Sequence, residues 1–551
     1  MNTTPRPSFD HNKYQSFPAV NMQQRQWPNS HIEKAPRWCS EDLRDGNQAL
    51  INPLSVEQKL DFFKLLVKIG FKEIVVGFPS ASQTDFDFVR LLIEHALIPE
   101  DVTISVLTPA RETLIERSFK ALKDVKQAIV HLYNSTSKTQ REKVFNSDKK
   151  TIIELAVNGA KTMQRCAMTQ AETTWTFEYT PESFSATEPE YALDICNAVG
   201  EVWQPTVEKP IIFNLPSTVE NTTPNVYADR IEWFSKHIQN RDNIILSVHT
   251  HNDRGTAVAA AELALLAGAQ RVEGTLLGNG ERTGNADLLV MAMNLYSQGI
   301  DPELDFSEMD TVVETVSQLN QIPLSPRHPY AGDLVYTAFS GSHQDAIKKC
   351  LSCYQAGDIW DVAYLPIDPT DIGRSYQQVV RINSQSGKAG VAYIIEQELT
   401  LQLPRWLQSE FSQIVQSLAE HKDREISTIE LVALFKKNYL EREQKFQLLN
   451  FKIDSEQKDV ISARIGTATG EITLMGNGEG ALTAFIDALQ RYLGRKIEIT
   501  HYAEHAMTKG TNAKAVCYIQ LDDNGTLQTG VACHNDIVSA SLNAVLTSLS
   551  I

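Results

Sequence analysis

A chain of 551 residues has room for two to four domains, and a composition 42% hydrophobic and 22% charged is that of an ordinary globular protein. Its formal net charge of −17, with no basic stretch to offset it, argues against a nucleic-acid partner, and no apolar run reaches the ~20 residues that a membrane-spanning helix needs. Seven scattered cysteines, an odd number, and an N-terminus with no export or import signal suit reduced thiols in the cytoplasm.

Residues 1–36 are polar and rich in Pro, Asn and Gln, and read as an arm lying over a domain surface. From Arg37 a rhythm begins. Apolar runs at 38–43, 73–78, 102–107, 128–133, 173–179, 211–215, 244–250 and 271–276 read as strands. Between them lie helix-like runs such as 56–69, 85–95, 149–166, 190–202, 226–237 and 257–267, and 286–297 closes the series. Eight strand–helix units within 37–300 predict an α/β fold of the (β/α)8 TIM-barrel type, which typically spans ~250 residues. A doubly wound open sheet would want a Gly-rich turn after its first strand, whereas Leu43-Arg44-Asp45-Gly46-Asn47-Gln48 stands there. Over 301–425 the rhythm gives way to helix-like runs with loops, a linker region. It holds a lone CxxC at Cys350 and Cys353, read as packing thiols, and ends in a charged span at 418–426, read as a hinge. Residues 426–551 mix helices with alternating strands and predict a C-terminal α+β domain. A hairpin is expected to turn at Asn524-Gly525.

Active sites of such barrels gather at the carboxyl ends of the strands. Read in order, those ends offer Arg44 and Asp45, then Leu107, His131 and Tyr133, Thr176 and Glu178, Asn214 and Thr218, and His249 and His251. The loop Gly278-Asn279-Gly280-Glu281-Arg282-Thr283-Gly284-Asn285 follows the last strand. His249 and His251, two residues apart on a strand, face the same way. With Asp45 they offer three ligands to a divalent cation, and Asn285 can add an amide oxygen. Mg²⁺, Mn²⁺ and Zn²⁺ are all compatible, and two imidazoles lean toward Mn²⁺ or Zn²⁺. Arg44, beside a ligand, is placed to hold an oxyanion formed there. Glu178 is the strand-end carboxylate suited to acid–base work.

Three of these stretches together, 43–48, 249–255 and 278–285, resemble the barrel family of pyruvate-carboxylase-like acyl transferases and lyases. Within it the chain is similar to the 2-isopropylmalate synthases of the longer form, on the residues 177–183, 214–220, 339–345 and 364–369. Asn47 stands where many relatives carry Glu. The resemblance implies a Claisen-type condensation of acetyl-CoA with 3-methyl-2-oxobutanoate, then thioester hydrolysis, as the first committed step toward leucine. It implies a divalent metal that chelates the oxo acid, with Arg44 on the developing alkoxide and Thr218 on the substrate carboxylate. Leu107, His131, Tyr133 and Thr176 would line the alkyl pocket. Glu178, His343 and Tyr376 would share the removal of the methyl proton, and the loop 278–284 would lie near the coenzyme.

The same resemblance implies a homodimer whose 301–425 regions complete each other's sites. It also implies a C-terminal domain that binds leucine as an allosteric inhibitor. Two small-residue turns into helices there, at 476–480 and 530–541, would hold its carboxylate, and Gly530→Asp would relieve inhibition. Homocitrate or citramalate synthesis is the alternative, since one methylene in an apolar pocket is worth only ~1–3 kcal/mol. A non-catalytic sensor would have lost ligands, yet Asp45, His249, His251 and Asn285 all stand.

Overall fold

The structure, a computed structural model, describes residues 18–549 other than Gln23, 375–387, 423–425, 456–457 and 508–512. The first half of the expected arm, Tyr376 and part of the charged hinge lie outside the described residues. The chain forms two units, Met1–Val335 and Tyr336–Ile551.

The first unit is the expected barrel. Strands β1 (Arg37–Ser40), β2 (Glu73–Gly77), β3 (Thr103–Pro109), β4 (Gln127–Ser135), β5 (Thr174–Glu182), β6 (Ile211–Asn214), β7 (Ile244–His249) and β8 (Arg271–Gly274) pair in sequence. All neighbours are parallel, and β8 returns to β1 in the register Arg37↔Arg271 to Ser40↔Gly274. Helices α1 (Val56–Ile69), α2 (Gln83–Glu94), α3 (Glu112–Ala121), α4 (Lys149–Met168), α5 (Pro189–Trp203), α6 (Pro224–His237), α7 (Ala257–Leu266) and α8 (Leu288–Tyr296) connect and follow the strands. Their limits are written locally. Ser55 and Gln58 form a reciprocal capping box at the start of α1, and Gly70, at φ +118°, ends it in the left-handed conformation. A further helix, α9 (Met309–Asn320), packs on α1. The described part of the arm lies on α6, where Arg25 makes a bidentate pair with Asp229 at 2.7 and 2.8 Å.

Two strands end three residues from where the pattern predicts, and both differences bear on the site. β1 stops at Ser40, and a wide turn, Asp42–Gly46, carries Arg44 and Asp45. The fully buried Lys59 holds that turn by donating to the Leu43 carbonyl at 2.8 Å and pairing with Asp85 at 2.6 Å. β5 runs three residues further than expected, to Glu182, although it contains Pro181. Its pairing with β6 covers only Glu178 and Tyr179, while β4 keeps pace up to Ser135↔Glu182. A proline is tolerated where a strand has lost one neighbour, because its missing N–H breaks no ladder bond there.

The second unit begins with α10 (Gly341–Cys353), α11 (Lys388–Leu399), α12 (Arg405–Lys422) and α13 (Thr428–Phe435). Two β-β-β-α passages follow. The first is β9 (Phe446–Ser455), β10 (Asp459–Thr467), β11 (Gly470–Gly478) and α14 (Ala481–Leu493); the second is β12 (Ile497–Ala506), β13 (Ala515–Asp523), β14 (Thr526–His534) and α15 (Ile537–Ser548). Each passage makes a three-stranded antiparallel sheet, and the two share one apolar core. Helices α11 to α13 cover the other face of the second sheet, over Val516, Tyr518 and Val531. The expected hairpin is β13–β14, closed by Asn524 and Gly525 at φ +52° and +91°, the signature of a type I′ turn.

Gly476 and Gly530 occupy matching places in the two passages, where the helix lies directly on the strand. A Cβ on Gly530 would stand 2.1 Å from the Ala544 carbonyl oxygen, and one on Gly476 would stand 2.2 Å from that of Ala484. Gly530 is therefore a packing residue, not a free turn position. Gly530→Asp is expected to cost about 3 kcal/mol as overpacking, so any loss of leucine sensitivity should come with a lower calorimetric Tm. An unchanged Tm in that variant would refute the packing role.

Candidate active site

The barrel's carboxyl end opens into a cavity of about 360 Å³. Arg44, Asp45, Leu107, His131, Tyr133, Thr218, His249 and His251 line it, as the strand ends predict. Thr176 and Glu178 do not. On β5 the side chains of Thr176, Glu178, Thr180 and Glu182 share one face, and the longer strand puts Thr180 and Glu182 at the mouth. Glu178 lies beneath them, fully buried, 3.0 Å from Arg271 Nη1. Burial and the neighbouring Glu273 push its carboxyl well above the usual range. Thr176 is six residues below Glu182, toward the barrel floor. Phe78, at the end of β2, is a further lining residue that strand-end reading passed over. Of the two remaining residues, His343 belongs to the second unit, its ring stacked on Tyr364, and Tyr376 is outside the described residues.

Asp45, His249 and His251 converge. The Nε2 atoms of His249 and His251 stand 3.8 and 3.7 Å from the same Asp45 oxygen, Oδ2. His249 is oriented from behind, its Nδ1 2.9 Å from Glu273 Oε2, which leaves Nε2 for the mouth. A carboxylate behind an imidazole is the usual support of a metal-ligating histidine. Glu273 is held in turn by Arg271 Nη1 at 2.6 Å and Asn214 Nδ2 at 2.9 Å. Asn285 donates from Nδ2 to Asp45 Oδ2 at 2.6 Å, while its own Oδ1 is buried with no partner among the described residues. A fourth, unsatisfied oxygen beside three ligands is what a cation would use.

The charges agree. Burial opposes ionisation of Asp45, yet Arg44 and the two imidazoles hold its carboxyl well below the usual carboxylate range. Burial lowers His249, but the carboxylates of Asp45 and Glu273 outweigh it and raise the imidazole to about 10. Burial, then the adjacent His249, lower His251 to about 4. Without a metal the constellation thus gathers one proton between buried carboxylates, and a divalent ion can take that place. Burial holds His131 near 3, so it is neutral, and its Nε2 pairs with Thr180 Oγ1 at 2.6 Å.

The loop after β8 brings Asn285 in by pairing with the end of β7, through His251↔Asn285 and an Asn252 N–H to the Gly284 carbonyl at 3.0 Å. That path needs glycine. Gly284 has φ +97°, and a Cβ there would lie 1.9 Å from the Gly278 carbonyl oxygen. From the same loop Arg282 makes a bidentate pair with Asp253 at 2.6 and 3.0 Å and donates to the Thr218 carbonyl at 2.6 Å. Thr218 Oγ1 accepts from the Ser183 N–H at 2.9 Å. Glu182 accepts from the Ser135 hydroxyl.

Family models match almost the whole described chain. Residues 35–316 match the HMGL-like family, 333–396 the alpha-isopropylmalate synthase post-catalytic domain-like family, and 425–550 the LeuA allosteric (dimerisation) domain. A 2-isopropylmalate synthase of Pseudomonas savastanoi pv. phaseolicola is 53% identical over 540 residues, covering 98% of this chain and 96% of that protein. The protein of the same name from Alcanivorax borkumensis is 52% identical over 544 residues, covering 98% and 97%.

Proposed function

Because the chain belongs to the 2-isopropylmalate synthase family, we propose that its barrel mouth condenses acetyl-CoA with 3-methyl-2-oxobutanoate and hydrolyses the resulting thioester, giving 2-isopropylmalate and CoA. It is an acyltransferase of leucine biosynthesis, working in the cytoplasm. The observation that supports this reading best is the convergence of Asp45, His249 and His251 on one point beside Arg44.

Asp45, His249 and His251 would hold a divalent ion, with Asn285 as a fourth ligand, and the donor set admits Mg²⁺ as well as Mn²⁺ or Zn²⁺. When bound, the ion supplies Lewis acidity toward the ketone of the oxo acid. Arg44 binds the same oxygen as negative charge develops on it, and works best in a cavity with little water. Thr218 hydrogen-bonds the substrate carboxylate. Leu107, Tyr133 and Phe78 give the branched alkyl group an apolar wall, and neutral His131 orients through Thr180. Glu182, at the mouth, takes over the acid–base role first given to Glu178 and draws the proton from the acetyl methyl. The loop 278–284 lies near the coenzyme.

The barrel (37–300) carries the chemistry, 301–425 links it, and 426–551 regulates it. In a homodimer the linker of one chain would complete the site of the other with His343 and Tyr376. Mixing inactive His343→Ala and Arg44→Ala chains should then restore up to about a quarter of the activity through hybrid dimers. No recovery under demonstrated subunit exchange would rule out sharing. Leucine offers a carboxylate and an apolar tail, and binds the C-terminal domain. Of the two turns into helices, that at Gly480 leaves α14 without a side-chain cap, whereas Asp536 already caps α15 through the Ser539 N–H. The first is thus the better place for a carboxylate.

A thiol-release assay on a panel of 2-oxo acids, with and without leucine, tests the reading. The expected result is highest kcat/KM with 3-methyl-2-oxobutanoate and inhibition by leucine. Faster turnover of 2-oxoglutarate or pyruvate would make the protein a homocitrate or citramalate synthase. Leucine without effect would give the C-terminal domain another role.

A further inference from the structure

Arg44 owes its orientation to a residue that strand-end reading passes over. Glu41 is fully buried at the end of β1, at the head of the turn that carries Arg44 and Asp45. Its backbone builds that turn. The Glu41 N–H donates to the Gly274 carbonyl of β8 at 2.8 Å, and the Glu41 carbonyl accepts from the N–H groups of Arg44 and Gly46 at 3.1 and 3.0 Å. Its side chain then reaches Arg44, whose Nε donates to Glu41 Oε2 at 2.8 Å while Nη1 donates to Asp45 Oδ1 at 3.1 Å. Two anchors on different edges fix a planar guanidinium completely. Nη2 has no partner among the described residues, and Arg44 lines the cavity.

The other carboxylate oxygen, Glu41 Oε1, is buried and has no hydrogen-bond partner among the described residues. A buried, half-satisfied carboxylate costs folding free energy. A residue selected for stability alone would be apolar here. The strain makes sense if the side chain serves the arginine.

We propose that Glu41 is a positioning residue for the condensation: by holding Nε of Arg44 it aims the free edge of the guanidinium at the oxygen on which charge develops. This rests on the reading of Arg44 as the oxyanion partner. Asp45 alone leaves the guanidinium free to swing about the Nη1 contact, so losing Glu41 should act on the transition state more than on the bound substrate. Among the described residues the Glu41 side chain makes no hydrogen bond to Asp45, His249 or His251, so metal binding should survive its loss.

The test uses full-length Glu41→Leu, Glu41→Gln and Arg44→Lys, and the double variant Glu41→Leu/Arg44→Lys. Measurements are kcat and KM for the oxo acid, Mn²⁺ affinity by calorimetry, and Tm. Glu41→Leu is expected to lower kcat at least tenfold, with KM changed less than threefold, Mn²⁺ affinity retained, and Tm equal or higher. Glu41→Gln, whose amide oxygen can still accept from Nε, should recover most of the kcat. In the Arg44→Lys background the Leu change should have little further effect, since the group it positions is gone.

Glu41→Leu with kcat within threefold of the parent overturns the proposal, as does a loss shared equally by Mn²⁺ affinity or Tm. Glu41→Gln as slow as Glu41→Leu overturns it too. If Arg44→Lys is itself as fast as the parent, the assignment of Arg44 fails, and that outcome is distinct from failure of Glu41 alone.

Discussion

His249→Ala is expected to lower turnover by at least about 10³-fold, with divalent-metal affinity falling in parallel and the barrel still folded. A thousandfold is about 4 kcal/mol, within what a Lewis acid contributes to stabilising a developing charge. The geometry makes the loss severe. Both imidazole Nε2 atoms face a single oxygen of Asp45 at 3.7–3.8 Å, so each ligand is one side of a triangle that the other two cannot close. Among the described residues, His249 is also the only one of the three oriented from behind by a buried carboxylate. Its removal leaves Glu273 with Arg271 and Asn214 as partners, enough to keep that charge satisfied and the fold intact. Asp45→Asn is the companion change. It keeps the volume but removes the charge that Arg44 and both histidines surround, and should fail to the same degree. Calorimetric metal titration and a thiol-release assay on the same preparations check both. Either variant retaining a tenth of parental activity would remove the metal assignment.

The barrel and the convergence of Asp45, His249 and His251 were legible because their signals are local and repetitive. Eight apolar runs at near-regular spacing admit few architectures, and two histidines at i and i+2 on a buried strand must point together whatever the rest of the chain does. What the sequence hid lies where a tertiary contact overrides a local rule. Pro181 reads as a strand end, but it is tolerated because β6 has already stopped pairing, and the strand continues to Glu182. Glu41 and Asp42 fall within the run 38–43 read as the first strand, yet that strand stops at Ser40 and both residues are buried at the turn that follows. Gly530 reads as a loop glycine, and only the position of α15 shows that its missing side chain is what lets the helix reach the strand. In each case the deciding neighbour is more than ten residues away, or absent where the pattern assumes one.

The extended β5 gives the sharpest division between chemistry and structure in this barrel. Glu182→Gln is expected to lower kcat by about 10²–10⁴, the usual contribution of a positioned acid–base group, with Tm within a degree or two of the parent. Its carboxylate lines the cavity and is bound by the Ser135 hydroxyl, so its removal leaves no unpaired buried charge. Glu178→Ala should do the reverse. Glu178 shares the fully buried Arg271 with the fully buried Glu273 and the partly buried Glu73, and truncation leaves both a cavity and an arginine with one fewer partner. Breaking a buried ionic group in this way costs about 3 kcal/mol, which would appear as a markedly lower denaturation midpoint. Glu178→Gln separates that cost from any chemical role. It fills the same space and still accepts from Arg271 Nη1, so it should keep kcat within a few-fold of the parent. The arrangement at the mouth would have to be read differently if Glu178→Gln were inactive and Glu182→Gln active, because the methyl proton would then have to travel to a carboxylate that lies one strand layer below the cavity and is sealed from it.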